Sequence, residues 1–462
     1  MSAPLVLFSF SMLTVVLTLA FRNDTRAAST LASVGTLISA LFIFFVPIDQ
    51  AAEIFGNTFR LEPDWRLLGR ALVLDQVTQP MVGFLYLSAS FLLLPAWLAG
   101  GSRYIPALAV VMSTAAGAAL MARPFLYAAI FIEFTAIVAG LILVTRKTPR
   151  NLGALRLLTL YTLGMLIILI TGWLLDQGGI TSATTGMINR ATMIMIFGIA
   201  VLILVPPFHI WLINASTEAN PYALSFVVIT LQSSALFFLL RFLDVYPWLR
   251  ENQLTFQSIR AGGMVCLIVG VLFAAGQRDL RKVLAYMIVA DIGFALLSTG
   301  VGTSAGYQLA LGMTASRIVS LGVLSLGLSL LIEPSPAGPI VYDSSAGSVM
   351  ARLAVFVGML SISGFPLTAG FPGRWSLMTV LMDSGSINAY LGFVTYLSLS
   401  VVTLWWGYKL FRGGIRGGWM QVSLENSFLL LGVAVIFLLG LFPQLTYPWI
   451  VELVSGLTRL FG

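Results

Sequence analysis

The chain has 462 residues, of which 9% are charged and 58% apolar, with a mean hydropathy of +0.97; a soluble domain would carry about a quarter charged residues. One cysteine, Cys266, excludes an internal disulfide or a cysteine-rich metal site, and one histidine, His209, excludes a histidine cluster, so no metal or redox cofactor is expected on this chain. Its unbroken apolar stretches exclude a transmembrane barrel, whose strands alternate, and leave an all-α polytopic membrane protein.

In chain order, a window of about 20 residues finds apolar spans near 3–21, 28–48, 72–99, 104–122, 124–145, 154–174, 188–212, 221–242, 262–276, 280–300, 305–332, 349–382, 388–411 and 425–442, about fourteen helices. No basic region precedes the first, so Pro4 to Phe21 reads as a retained helix. The connection from Asp49 to Arg70 is polar enough to cap one face, and Tyr447 to Phe461 reads as an interfacial helix.

Two spans are interrupted by proline, one at Pro206 and Pro207 and the other between Pro366 and Pro372. Proline frees backbone groups that lipid cannot satisfy, so such breaks persist only inside protein or beside a watery cavity. A matched pair in the two halves is the signature of a transporter built from an internal repeat; an ordinary loop at each place is the alternative. The expected organisation is three N-terminal helices in 1–103, one five-helix repeat in 104–243, an inverted second in 261–412, and a last helix with its interfacial segment in 424–462. Helices 7 and 12 are the broken ones.

Basic residues set orientation. Connections after odd-numbered spans hold Arg22, Arg26, Arg103, Arg146, Lys147, Arg150, Arg156, Arg278, Arg281, Lys282, Arg352, Lys409, Arg412 and Arg416, fourteen of the 25, against nine after even-numbered spans. This places the odd connections in the cytoplasm and both termini on the non-cytoplasmic side. The net charge of +7 therefore calls for no nucleic-acid partner.

Ionisable groups at membrane depth are costly and are candidates for function. Glu133 stands alone in a stretch with no other charge from Pro124 to Val144, and Asp291 lies nine residues after Lys282, roughly 13.5 Å along a helix. Arg317 and Arg374 are the deep basic groups. Arginine remains charged there and needs a carboxylate, carbonyl or water partner. A structural Arg317 to Asp291 pair and a transport role are both open. The candidate proton path is Glu133, His209, Lys282, Asp291, Arg317 and Arg374.

Three motifs then carry a resemblance. VPPFHIWLINASTEANP, GQRDLRKVLAYMIVADIGF and GFPLTAGFPGRW, in that order, resemble the signatures at helices 7, 10 and 12 of the antiporter-like subunits of respiratory complex I, related hydrogenases and Mrp antiporters. The resemblance spans the chain and implies an N-type or M-type subunit, since no long lateral helix follows. It implies membrane and redox partner subunits, with a cell inner membrane as location. Glu133 falls where the family has its fifth-helix glutamate. The family's seventh-helix lysine falls on Leu202, and its eighth-helix lysine on Gln232 or Ser233. Its central residues on helices 10 and 11 and its helix 12 lysine fall on Asp291, Arg317 and Arg374. The implied function is therefore a subunit of a complex I-like redox-driven assembly, of the NADH-quinone oxidoreductase or membrane hydrogenase type, itself non-catalytic and with altered or impaired proton translocation. A scaffold that has lost pumping and an Mrp-type cation/proton antiporter subunit are the alternatives. A pure scaffold would tolerate Glu133→Gln and Asp291→Asn.

Overall fold

The computed structural model describes residues 2–460 other than 47, 49–50, 55–56, 68, 125–126, 145–150, 179–184, 333–348, 384–386, 413–422, 447, 449, 451–456 and 458–459. The basic group at Arg146, Lys147 and Arg150, Arg416, and most of the expected C-terminal interfacial helix lie outside the described residues.

The fold is a helical bundle. In order it runs α1 (Ala3–Ala20), α2 (Thr25–Phe45), α3 (Thr78–Leu93), α4 (Ile105–Met121), α5 (Ala128–Leu143), α6 (Leu152–Gly178), α7 (Thr185–Leu202), α8 (Ile210–Glu218), α9 (Pro221–Val245) and the short α10 (Pro247–Arg250). Then follow α11 (Gln253–Gly276), α12 (Leu280–Gly300), α13 (Ser304–Leu331), α14 (Val349–Ser363), α15 (Phe371–Asp383), α16 (Ile387–Phe411) and α17 (Leu424–Leu441). Among the described residues, nine helices are long and apolar enough to cross a membrane, and five more apolar helices are shorter.

The all-helical expectation needs one amendment. Between α2 and α3 the chain forms two hairpins, β1 (Ala51–Ile54) with β2 (Asn57–Arg60) and β3 (Asp64–Leu67) with β4 (Arg70–Val73), and β4 also pairs with β5 (Ala122–Arg123). Strand pairing satisfies the backbone of a segment too short and too polar to continue as a helix.

The polar motif residues explain why helices start where they do. Asn220 caps α9 by accepting from the backbone N–H of Tyr222 and Ala223 at 2.9 and 3.2 Å, while its Nδ2 donates to the carbonyl of Ala99 at 2.9 Å. Glu218 accepts the Gly153 N–H, at the N-terminal end of α6, at 2.8 Å. Asp279 caps α12, and Arg281, paired with it at 2.7 Å, also donates to the Thr217 carbonyl near the end of α8 at 3.1 Å. Partial burial pushes the Asp279 carboxyl up, but the bonds and charge of Arg281 with nearby Lys282 hold it below the usual carboxylate range. Each cap replaces donors that the first helical turn leaves unsatisfied.

Helices α11 and α12 form the most extensive pair in the bundle, with glycines at the seam. A Cβ on Gly270 would stand 2.7 Å from the Ala290 N, and one on Gly293 would stand 2.7 Å from the Gly263 carbonyl oxygen. In a membrane, where lipid is as apolar as leucine, such close backbone approach supplies the packing that holds helices together. Helix α12 is buried from Val283 to Gly300. Gly270→Val should therefore lower the thermal unfolding midpoint of the purified protein, at a cost of ~1–3 kcal/mol. Leu272→Ala, on the exposed face of the same helix, should leave it nearly unchanged. Equal midpoints for the two variants would contradict the tight seam.

Candidate functional site

Inside the bundle lies a buried carboxylate gripped by two arginines. Asp291 on α12 is 3% exposed, Arg317 on α13 is 3% and Arg374 on α15 is 2%. The Arg317 Nε donates to Asp291 Oδ2 and the Arg374 Nη2 to Asp291 Oδ1. The cluster carries one net positive charge in a setting without bulk water, and that excess needs acceptors.

The interruption between α14 and α15 supplies them. Arg374 donates through Nη1 to the carbonyls of Ser361 at 2.9 Å and Gly370 at 3.3 Å, and its guanidinium lies 5.1 Å from the centre of the Phe294 ring. Carbonyls at a helix C-terminus carry the negative end of the helix dipole, so the end of α14 is a natural seat for a cation. The Ser361 hydroxyl ties the same place to α13 through Ser320 at 2.7 Å and accepts the Gly370 N–H at 3.2 Å. Gly370 has no alternative, because a Cβ there would collide with the Ser361 carbonyl.

Local sequence builds both interruptions the same way. Helix α7 closes with the Val205 N–H on the Ala200 carbonyl at 3.0 Å, with Leu204 at φ 70°. Helix α14 closes with the Phe365 N–H on the Leu360 carbonyl at 2.9 Å, with Gly364 at φ 78°. A left-handed residue followed by a six-to-one bond is the Schellman closure, and a proline comes next in both, Pro206 and Pro366. Leu204 adopts this conformation without glycine's freedom, a strain of roughly 1–2 kcal/mol. Each end also has a tyrosine on a carbonyl, Tyr161 on Leu202 at 3.0 Å and Tyr396 on Gly364 at 2.7 Å. Pro207 lies in the first interruption, exposed, and Pro372 within the first turn of α15.

The first half of the chain is different in kind. Leu202 is 2% exposed and lines a small cavity with Ile132, Tyr161, Leu231 and Ser234, which contains no ionisable side chain other than the tyrosine. Gln232 and Ser233 are buried on α9, but their neighbour Ser234 lines the cavity with Leu202. Glu133 is half-buried beside the outer stripe of Ile130, Phe134 and Ile137, and accepts from the exposed Thr162 at 2.7 Å. Among the described residues, Glu133 Oε2, His209 Nδ1, Asn214 Nδ2, Gln232 Nε2 and Ser233 Oγ are buried atoms with no hydrogen-bond partner. His209 stands just before α8 with its ring 6.0 Å from that of Tyr286 on α12. Lys282 is half-buried in the first turn of α12, at the end remote from Asp291.

Two buried arginines belong beside those read from sequence. Arg352, assigned above to a connection, lies in the first turn of α14 at 1% exposure, and Arg241, near the end of α9, is 4% exposed. Arg241 and Arg123 both donate to the same Asp75 oxygen, at 2.9 and 3.1 Å, joining α9 to the approach to α3. The spacing of Arg241 and Asp244, one helical turn apart near a span end, is the signal that points there.

A bundle of many apolar helices with a buried charged cluster beside an interrupted helix is a polytopic membrane protein of the ion-translocating class. Residues 122–400 match the family "NADH:quinone oxidoreductase/Mrp antiporter, TM", and the chain belongs to that family, as an antiporter-like membrane subunit. The chloroplastic NAD(P)H-quinone oxidoreductase subunit 5 of Chaetosphaeridium globosum is 26% identical over 217 residues, which is 45% of this chain and 30% of that protein. NADH-quinone oxidoreductase subunit N of Chromohalobacter salexigens is 25% identical over 295 residues, 60% of each chain. The chain thus matches between 30% and 60% of the length of these relatives. The same fold recurs in a chain of the Mrp complex from Dietzia sp., with a TM-score of 0.77, 16% identity and the whole of both chains covered.

Asp291→Asn would leave two buried arginines without a counter-charge. It should destabilise the protein by ~3–5 kcal/mol, whereas Glu133→Gln, on a half-buried outer position, should change the thermal midpoint little. An Asp291→Asn variant that melts with the wild type would show that the cluster does not hold the fold.

Proposed function

We propose that this chain is a membrane-arm subunit of a complex I-like, redox-driven assembly in which proton translocation is altered or impaired. The observation that carries this reading is the double grip of Arg317 and Arg374 on Asp291. A proton relay needs groups that gain and release protons, and arginine stays charged in proteins. In the second half the central carboxylate is committed to two permanent cations. In the first half Leu202 occupies the position of the family's lysine and lines a cavity with no cation.

The organisation proposed for the chain is fourteen spans, with helices 1–3 in 1–103, inverted five-helix repeats in 104–243 and 261–412 broken at helices 7 and 12, and a last helix in 424–462. The shared closure of α7 and α14 supports it. Both termini lie on the non-cytoplasmic side of an inner membrane: with Arg352 and Arg241 both moved into helices, thirteen of the earlier fourteen basic residues still follow odd spans, against eight. The chain binds no redox cofactor, having a single cysteine and a single histidine, so electron transfer sits on partner subunits. Its partners are antiporter-like paralogues, small membrane subunits and hydrophilic redox subunits, in the N-type or M-type place. What proton movement remains passes through Glu133, His209 and water on the unpartnered polar atoms of the first half. The runner-up is an Mrp-type cation/proton antiporter subunit, supported by the full-length likeness to the Dietzia chain. Co-purifying subunits separate the two.

The decisive experiment is Leu202→Lys in the reconstituted assembly. It should raise proton conductance, and adding Glu133→Gln should remove the gain. No gain from Leu202→Lys, together with loss of coupled pumping in Glu133→Gln alone, would show instead that an intact route already runs through Glu133.

A further inference from the structure

A second site lies at the edge of the bundle, away from the charged cluster. A cavity of about 60 Å3 opens where four helix ends meet, the start of α2, the end of α3, the start of α4 and the start of α9. Its lining includes the polar residues Thr25, Ser29 and Ser102 and the apolar Leu93, Trp97 and Phe226. Ser29 is 1% exposed and, among the described residues, its hydroxyl has no hydrogen-bond partner. A buried hydroxyl without a partner costs free energy unless something outside the chain meets it.

Beside the cavity, next to its lining residues Thr25, Trp97 and Ser102, stand three arginines. The Arg26 guanidinium lies 5.1 Å from the centre of the Trp97 ring, Arg103 follows Ser102 and reaches Asn23 at 3.2 Å, and Arg22 lies in the same turn. All three arginines are exposed. Asp24, which precedes the lining residue Thr25, is occupied in capping α2 through the N–H groups of Arg26 and Ala27. Cationic side chains, hydroxyl donors and an aromatic at the ends of spans are the chemistry of the headgroup layer, and the apolar wall below continues toward acyl depth.

We propose that this cavity is a binding site for the phosphate headgroup of an anionic phospholipid, held by Arg26 and Arg103 beside the cavity with the hydroxyls of Ser29 and Ser102 in its lining. A lipid fits better than a free anion because the site opens at helix ends and has apolar walls that solvated phosphate would not use.

The test measures equilibrium binding of dioctanoyl-phosphatidylglycerol to the detergent-purified protein in its native assembly by mass spectrometry, with dioctanoyl-phosphatidylcholine and inorganic phosphate as comparison probes. The double variant Arg26→Gln with Arg103→Gln should weaken phosphatidylglycerol binding about thirty-fold, taking roughly one lipid-charge interaction per arginine. A second double variant, Arg156→Gln with Arg412→Gln, removes the same charge at exposed positions elsewhere and should leave it unchanged. Because all four positions are exposed, an unaltered melting curve without lipid checks that each variant folds. Equal loss in both double variants, or equal affinity for phosphatidylcholine, would overturn the site in favour of general membrane adhesion. Competition by inorganic phosphate at the same concentration would overturn the lipid in favour of a free anion.

Discussion

The second half of this protein is organised around one ion triad. A carboxylate in the middle of α12 could not remain buried alone, and neither could an arginine on α13 or α15; together they are tolerated, with one charge left over. That leftover charge needs the carbonyls where α14 stops, so the helix interruption and the arginine are two parts of one solution. Ser361 and Gly370 complete it, the first by holding both sides of the gap and the second by leaving room for the guanidinium. The seam between α11 and α12 then places Asp291 deep enough for the pair to be strong.

The first half is arranged differently. Several of its buried polar atoms lack protein partners among the described residues, and Leu202 sits in an apolar pocket with Tyr161 and Ser234. Both halves hold a carboxylate between two arginines, Asp291 at depth and Asp75 at the approach to α3, and among the described residues both contain buried polar atoms without a protein partner, Arg374 Nε included.

Much of this was legible in the sequence because membrane burial leaves few ambiguities. Long apolar runs, charges inside them and prolines within spans each have one cheap physical explanation, and Asp291, Arg317 and Arg374 stood out on that ground. What could not be read was pairing. No periodicity shows that one carboxylate meets both arginines, that Ser234 lines the cavity with Leu202, or that Glu133 turns toward the outer stripe. Arg352 and Arg241 escaped because a basic residue near a span end looks like a connection, and burial there is decided by neighbouring helices. The strands after α2 escaped for a related reason: their backbone pairing answers local polarity, which in sequence looks like any loop.

The capping residues have a wider implication. Glu218, Asn220, Asp279 and Arg281 give the family motifs much of their polar character, and in this structure their bonds go to helix ends and to one another, away from the charged cluster. Such motifs diagnose a scaffold. Because those bonds serve the helix ends whatever the interior does, membership of the family and competence in transport are separate questions. A survey for silent members would do better to score the residues at the level of Leu202 and Asp291 than the signatures by which the family is found.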